Sequence, residues 1–119
     1  MDMKPLRWVG SAHKDLKSFP DDVRDIFGYA LYQAQNGEKS DAAKPLKGFG
    51  SSGVLEVVEN RHAGAYRAVY TVRFNKAVYV LHCFQKKSHR GAETAQQDID
   101  LIKSRLKAAE CDAKENEYE

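Results

Sequence analysis

The chain has 119 residues, of which 42% are hydrophobic and 30% are charged, and its formal net charge is +2 at pH 7. This length and composition are typical of one globular domain and exclude two independent cores. No apolar run approaches the roughly 20 residues that a membrane-spanning helix needs, and the opening MDMKPLRWVG lacks the apolar segment of a signal peptide. We therefore expect a cytoplasmic protein without a membrane contact.

The first half of the chain predicts a strand and two helices. Residues 6–9 (LRWV) form a short apolar stretch typical of a strand, and residues 11–17 have the character of a brief helical segment. A longer helix is predicted from Asp21, preceded by Pro20 and ended by Asn36-Gly37. Its apolar residues recur at helical spacing and form one stripe: Val23, Ile26, Phe27, Ala30, Leu31 and Ala34.

Three strands and a helix are predicted in the second half. Residues 38–53 are polar and glycine-rich and have the composition of a loop, which carries Lys44 and Lys47. Residues 54–60, 65–74 and 77–85 alternate as strands do, and short connections predict an antiparallel meander. Thr94 and Gln97 have the spacing of a capping box before an amphipathic helix that reaches Ala109.

This order of elements predicts an α+β domain, with helices packed on a small antiparallel sheet. We assign the domain to residues 1–110 and expect the acidic residues 111–119 to be disordered. Cys83 lies in an apolar run and is expected to be buried, whereas Cys111 lies in the polar tail, so no disulfide is predicted. Because no Cys or His pairs have the spacing of a zinc site, we predict neither a metal nor another cofactor.

The most informative segment, residues 61–90, contains no Asp or Glu. Within it, Tyr66, Ala68, Tyr70, Val72 and Phe74 should face the helices, and the residues between them, Arg67 and Arg73 included, should stand on the open face of the sheet. A sheet face rich in uncompensated cations is suited to phosphate, which favours a nucleic-acid ligand. The alternative is a set of solvated surface arginines. The segment contributes these cations: Arg61, Arg67, Arg73, Lys76, Lys86, Lys87 and Arg90.

Proton-transfer groups are less clearly marked. His82 lies within a strand, where a hydrogen-bonded structural role competes with a catalytic one. His89 lies among Lys86, Lys87 and Arg90, whose charges favour a neutral imidazole that can accept a proton. Lys86 and Lys87 are either phosphate anchors or the solvated end of a strand.

These parts favour RNA over DNA as a substrate for cleavage. Cations can stabilise the charge that gathers on a phosphoryl group when a 2′-hydroxyl attacks it, and DNA lacks that nucleophile. The sequence offers no carboxylate cluster that would hold two metal ions. Glu56 is one of two acids in the predicted strands, and it serves either as a base or as the partner of an arginine.

Two segments resemble the RelE/ParE superfamily of toxins, in particular its HigB-like, phage-derived branch: LEVVENRHAGAYRAVYTV (residues 55–72) and VYVLHCFQKKS (residues 78–88). The resemblance spans residues 6–109. It implies a RelE-like fold, with N-terminal helices over a small curved antiparallel sheet and a further helix at the C-terminus. It also implies an mRNA interferase, in some relatives acting on the ribosome, that is silenced by a cognate antitoxin.

The resemblance assigns roles to several residues. Arg67 matches the strand arginine at the scissile phosphate, and Lys87, or Lys86 beside it, matches the basic residue at the end of the last strand. Lys44 and Lys47 lie in the loop where relatives place cations near the RNA backbone. The C-terminal helix lacks the tyrosine or histidine that several relatives use, which leaves His89 and His82 as candidates for proton transfer.

Two other functions stay open at this point. The same superfamily contains ParE-like inhibitors of DNA gyrase that cut nothing, and a non-toxic RNA-binding regulatory domain is a third possibility. The expected partners of a toxin are mRNA and an antitoxin, such as a helix-turn-helix protein. Besides the catalytic candidates, the predicted RNA contacts are Lys44, Lys47, Arg61, Arg73, Lys86 and Arg90.

Overall fold

A five-stranded sheet in the order β1-β5-β4-β3-β2 organises the structure. The computed structural model describes residues 3–50, 52–62, 64–86 and 94–119. The strands are β1 (Leu6–Trp8), β2 (Ala43–Pro45), β3 (Val54–Arg61), β4 (Gly64–Thr71) and β5 (Val78–Lys86), and the helices are α1 (Ala12–Lys17), α2 (Asp21–Gln35) and α3 (Gln96–Glu115). The predicted α+β class is confirmed. The sheet is mixed rather than wholly antiparallel, because β1 runs parallel to β5.

Helix α2 forms where its apolar stripe predicts. Five of the six stripe residues are buried, whereas Ile26 is 37% exposed at the edge of the stripe. Gly37 has a φ of +80°, a left-handed conformation that favours glycine, and it comes directly after the C-cap residue Asn36. The predicted start at Asp21 and stop at Asn36-Gly37 are both confirmed.

The pairing of β4 with β5 contains an irregularity that decides on which face of the sheet His82 lies. Val69 pairs with His82 while the next residue, Tyr70, pairs with Val80, so β5 has one more residue, Leu81, than β4 at this point. The extra residue reverses the alternation of β5. Since directly opposed residues share a face, His82 lies on the same side of the sheet as Val69.

Both faces of the sheet are covered by helices. Tyr66, Ala68 and Tyr70 pack toward α1 and α2, as predicted. The prediction is wrong for Val72, which is 37% exposed, and for Phe74, which packs in the cluster with α3, because β4 and its alternation end at Thr71. The other face was expected to be open, and this expectation is wrong, because α3 lies across it and Ile102 of α3 belongs to the same buried cluster as Val69. Burying α3 on this face removes its own apolar stripe from water, which the sequence pattern of the strand alone does not reveal.

The C-terminal segment is more ordered than predicted. Helix α3 continues to Glu115, and the main-chain N–H of Lys76 donates to the carbonyl oxygen of Tyr118 at 3.0 Å. The expectation that residues 111–119 are disordered is therefore corrected. The physical reason is that Ala113 extends the buried stripe of α3 and Asp112 pairs with a side chain of β1. In the part of the chain that the structure describes, no helix has both the length and the apolar character to cross a membrane.

Candidate nucleic-acid interface

A groove of about 540 Å³ lies between the sheet and the first turns of α3. Its size is in the range of pockets that hold small ligands. The wall on one side is β2 with the turn after it, and the wall on the other side is α3. The described residues that line it are Lys44, Pro45, Leu46, Lys47, Gly48, Glu56, Val58, Asn60, Arg67, Thr94, Gln96, Ile99 and Lys103.

Arg67, Glu56 and Thr94 form a cluster at the base of this groove. The Nη1 of Arg67 lies 3.3 Å from Oε1 of Glu56 and 3.4 Å from Oγ1 of Thr94. Thr94 donates from Oγ1 to Oε2 of Glu56 at 2.8 Å. The strand register explains the meeting, because Val58 lies opposite Arg67 and Glu56 is two residues further along the same face. Arg67 is only 6% exposed, so the predicted strand arginine is a buried partner of a carboxylate.

Three lysines surround the cluster from separate elements. Lys44 lies in β2, Lys47 lies in the turn after it, and Lys103 lies on α3. All three residues are exposed. Lys44 and Lys47 were predicted from the sequence, but Lys103 was missed. The signal that could have found it is helical spacing, since Gln96, Ile99 and Lys103 share one face of α3.

Two predicted RNA contacts lie outside the groove. Arg61 donates from Nη2 to Oδ2 of Asp22 at 2.7 Å and also pairs with Glu59, so it belongs to the α2 side of the sheet. The hydrogen bond that Arg61 donates to Asp22, followed by the one that it donates to Glu59, raises the pKa of Arg61. Arg73 donates to Oε1 of Glu110 at 2.6 Å. The expectation of a single uncompensated basic face is therefore wrong.

The histidine of β5 is buried against α3. Nε2 of His82 lies 2.9 Å from Oδ1 of Asp98, and its ring stacks on Phe84 with centroids 4.3 Å apart. His82 is 7% exposed and does not line the groove. Lys86 ends β5 opposite Ala65. The other candidates of this segment, Lys87, His89 and Arg90, lie outside the described residues.

A second polar cluster fixes the far end of α3. Nε and Nη2 of Arg7 donate to the two carboxylate oxygens of Asp112 at 3.0 and 2.9 Å, and Tyr79 donates to Oδ2 at 2.6 Å. The hydrogen bond from Arg7, with a further one from Tyr79, lowers the pKa of Asp112. Arg7 and Asp112 are 105 residues apart, so sequence reasoning had no signal for this pair. The cluster anchors the helix that forms one wall of the groove.

Comparisons with known proteins agree with this architecture. Residues 14–107 match the family model of the phage-derived Gp49-like proteins. The chain belongs to that family. No curated protein gives a significant match to the sequence.

Two structures of the toxin RelE from E. coli resemble the fold. One is a double arginine-to-alanine variant in the free state, with a TM-score of 0.53 and 18% identity, covering 90% of this chain and 98% of that one. The other is the isolated toxin, with a TM-score of 0.50 and 20% identity, covering 85% of this chain and 97% of that one. At such identities the likeness concerns the fold. The RelE-like architecture predicted from the sequence is confirmed, and so is the assignment of the chain to the phage-derived branch.

Proposed function

We propose that this chain is the toxin of a toxin–antitoxin module and acts as a metal-independent mRNA endonuclease. The observation that carries the proposal is the groove itself, in which Lys44, Lys47 and Lys103 converge over Arg67. Cations drawn from three elements around one buried guanidinium suit a sugar–phosphate strand. Membership of the Gp49-like family and the RelE-like fold support the same reading.

The proposed reaction divides the work among these residues. The three lysines hold the RNA backbone, and Arg67 stabilises the charge that develops on the phosphoryl oxygens as the 2′-hydroxyl attacks. The proposed groups for proton transfer are Lys87 and His89, which follow β5 in the sequence. His82 is left out of the reaction, since Asp98 and Phe84 already hold its ring.

Partners and location follow from the same proposal. A basic groove favours an acidic surface on the antitoxin, which would silence the toxin by covering the lysines. We expect the antitoxin to be a helix-turn-helix protein, and the target to be cytoplasmic mRNA, on the ribosome or free. Among the described residues, no group of three His, Cys, Asp or Glu side chains is arranged to hold a metal ion.

A matched pair of lysine variants tests the proposal in cells. Lys103 and Lys107 are both exposed on α3, one turn apart, but only Lys103 lines the groove. After induction of the wild-type chain, primer extension of cellular transcripts should reveal discrete new 5′ ends. We expect Lys103→Ala to reduce this cleavage about tenfold and Lys107→Ala to leave it unchanged, since one charge-assisted phosphate contact is worth about 1.5 kcal/mol. Equal effects of the two variants would contradict the proposal.

The role of Arg67 needs a variant that preserves the fold. Arg67→Ala would leave the Glu56 carboxylate buried without its partner, which typically destabilises a protein by about 3–5 kcal/mol. The double variant Arg67→Gln, Glu56→Gln replaces the ion pair by two amides that can still hydrogen-bond. We expect this variant to fold and to lose cleavage, and circular dichroism beside the primer-extension assay checks both results.

A specific observation keeps one other function in view. The described lining of the groove contains no histidine or tyrosine, and a ParE-like inhibitor of DNA gyrase needs no proton-transfer group. That reading predicts an SOS-type DNA-damage response on induction, without new 5′ ends in any transcript. The same primer-extension experiment therefore separates the two functions.

A further inference from the structure

We propose that Glu56 occupies the place of an RNA phosphate on Arg67, so that the groove inhibits itself until a phosphate displaces the carboxylate. This inference rests on the proposed function and adds a regulatory step to it. Its starting point is burial: the side chains of Arg67 and Glu56 are only 7% and 12% exposed. A phosphate cannot reach the guanidinium at the base of the groove while Glu56 and Thr94 cover it.

The contact between Arg67 and Glu56 is longer than the other arginine–carboxylate contacts that the structure describes. It measures 3.3 Å, whereas Arg7 meets Asp112 at 2.9 and 3.0 Å and Arg73 meets Glu110 at 2.6 Å. Charge-assisted hydrogen bonds are normally about 2.7–2.9 Å long. A phosphate, which carries more acceptor oxygens than a carboxylate, can therefore form shorter hydrogen bonds to Arg67 than Glu56 does.

The groove also provides a new partner for the displaced carboxylate. Lys44 of β2 lies directly opposite Glu56 of β3 in the strand register. Side chains opposed in this way have Cβ atoms about 5 Å apart, within reach of an ion pair. Glu56 can thus turn from Arg67 to Lys44 without leaving a buried charge alone. Thr94, which now donates to Glu56, would be left free to donate to the phosphate.

Two glutamates of β3 provide a matched test. Glu56→Gln removes the negative charge that pairs with Arg67 but keeps a similar side-chain shape and an oxygen acceptor. Glu59→Gln changes the net charge of the chain by the same amount, but Glu59 lies on the opposite face of the sheet, where it pairs with Arg61. The probe is a short 2′-O-methyl RNA, which cannot be cut, and the measurement is fluorescence anisotropy.

We expect Glu56→Gln to bind this RNA about tenfold more tightly than the wild-type chain. The reason is that the repulsion between the Glu56 carboxylate and an RNA phosphate a few ångströms away exceeds the free energy that a tenfold change in affinity represents. Glu59→Gln should bind within about twofold of the wild type, since the half-buried Glu59 lies on the far face of the sheet and pairs there with Arg61. Equal affinities for the two variants, or weaker binding by Glu56→Gln, would overturn the inference. Glu56→Asp retains the charge but shortens the reach to Arg67, and should bind with intermediate affinity. If Glu56→Gln does not fold, this variant decides, and an affinity no higher than that of the wild type would overturn the inference.

Inorganic phosphate separates the failure of this inference from the failure of the proposed function. If phosphate raises the melting temperature of Glu56→Gln but not of Glu59→Gln, while no variant binds RNA, the carboxylate does occupy an anion site and the RNA function is wrong. If all the variants bind RNA equally and phosphate distinguishes none of them, the RNA function stands and the displacement by phosphate is wrong.

Discussion

Two buried tyrosines show how differently the same hydroxyl can be placed. Tyr79 donates to Asp112 at 2.6 Å, whereas the hydroxyl of Tyr70 has no hydrogen-bond partner among the described residues. Burial raises the pKa of Tyr70 to about 12. Burial, with the neighbouring Asp112 carboxylate, also raises that of Tyr79. A buried hydroxyl without a partner opposes folding, and one bonded to a carboxylate favours it.

The two Tyr→Phe substitutions should therefore differ in sign. Tyr70→Phe should leave the free energy of unfolding unchanged or raise it, because it removes a hydroxyl that gains nothing in the folded state. Tyr79→Phe should lower the free energy of unfolding by about 2 kcal/mol, the usual worth of a hydrogen bond to a charged group. Urea denaturation measures both values. A larger loss for Tyr70→Phe than for Tyr79→Phe would contradict the described hydrogen bonding.

The Arg7–Asp112 pair predicts a pH dependence of stability. Because the pKa of Asp112 is lower in the folded chain, its stabilising effect is fully present above the unfolded pKa of about 3.9 and is lost as the pH falls through the folded value. Asp112→Asn should thus be less stable than the wild type at pH 7, and the difference should shrink below about pH 4. Thermal unfolding over this pH range measures it. A difference that stays constant with pH would contradict an ionic contribution from Asp112.

Single residues were the least predictable part of the site. The alternation of β4 correctly separates Arg67 from Tyr66 and Ala68, but it does not reveal that Arg67 is buried. Burial depends on α3 and on Thr94, which arrive from more than twenty-five residues away in sequence. The predicted capping role of Thr94 is also replaced, since its hydroxyl binds Glu56 and α3 begins at Gln96 without a side-chain cap.

At the scale of elements, Arg105 of α3 joins the irregular part of β5 to the turn before α1. It donates from Nη1 to the carbonyl oxygen of Leu81 at 2.9 Å and from Nη2 to Oγ of Ser11 at 3.1 Å. Leu81 is the extra residue of β5, so Arg105 satisfies a carbonyl at the point where the pairing with β4 shifts. The guanidinium lies against Gly10, where an added Cβ would stand 2.9 Å from it.

Substitutions at two glycines test this packing. Gly10 has a φ of +57°, so Gly10→Ala should lower the free energy of unfolding by at least about 1–2 kcal/mol from backbone strain, with a further loss from displacing Arg105. Gly28→Ala is the control, because it lies within α2 with nothing within 4 Å of an added Cβ. It should raise the free energy of unfolding by up to about 1 kcal/mol. Chemical denaturation of both variants measures the contrast, and similar values would contradict the close approach of Arg105.

Elements with strong local signals were predictable, and elements held by distant contacts were not. The stripe and stop signal of α2 define it within the sequence itself, and the alternation of β3, β4 and β5 does the same. β2 has only three residues, among them Lys44 and Pro45, and its strand conformation depends on pairing with β3. The parallel pairing of β1 with β5 likewise has no local signal.

At the scale of the whole molecule, the fold pairs several of the cations that the sequence concentrates in residues 61–90 with acids from other segments. Asp22 reaches Arg61, Glu56 reaches Arg67, and Glu110 reaches Arg73, although all three acids lie outside residues 61–90. Among the described residues, the proposed RNA site is a smaller surface, the groove lined by Lys44, Lys47 and Lys103. Under the proposed function, pairing Arg61 and Arg73 with acids favours binding of a polyanion in the groove over binding at these arginines, which is a gain in specificity.

The most direct test of the central claim is to map where an uncleavable RNA binds. Backbone amide signals of the labelled chain, followed by NMR during titration with a 2′-O-methyl RNA, report each region separately. The groove predicts shifts concentrated in β2, in the turn that carries Lys47, and in the first turns of α3, with the amides around Arg61 and Arg73 unaffected. Shifts centred on Arg61 and Arg73, or spread evenly over the surface, would contradict the assignment of the groove as the RNA site.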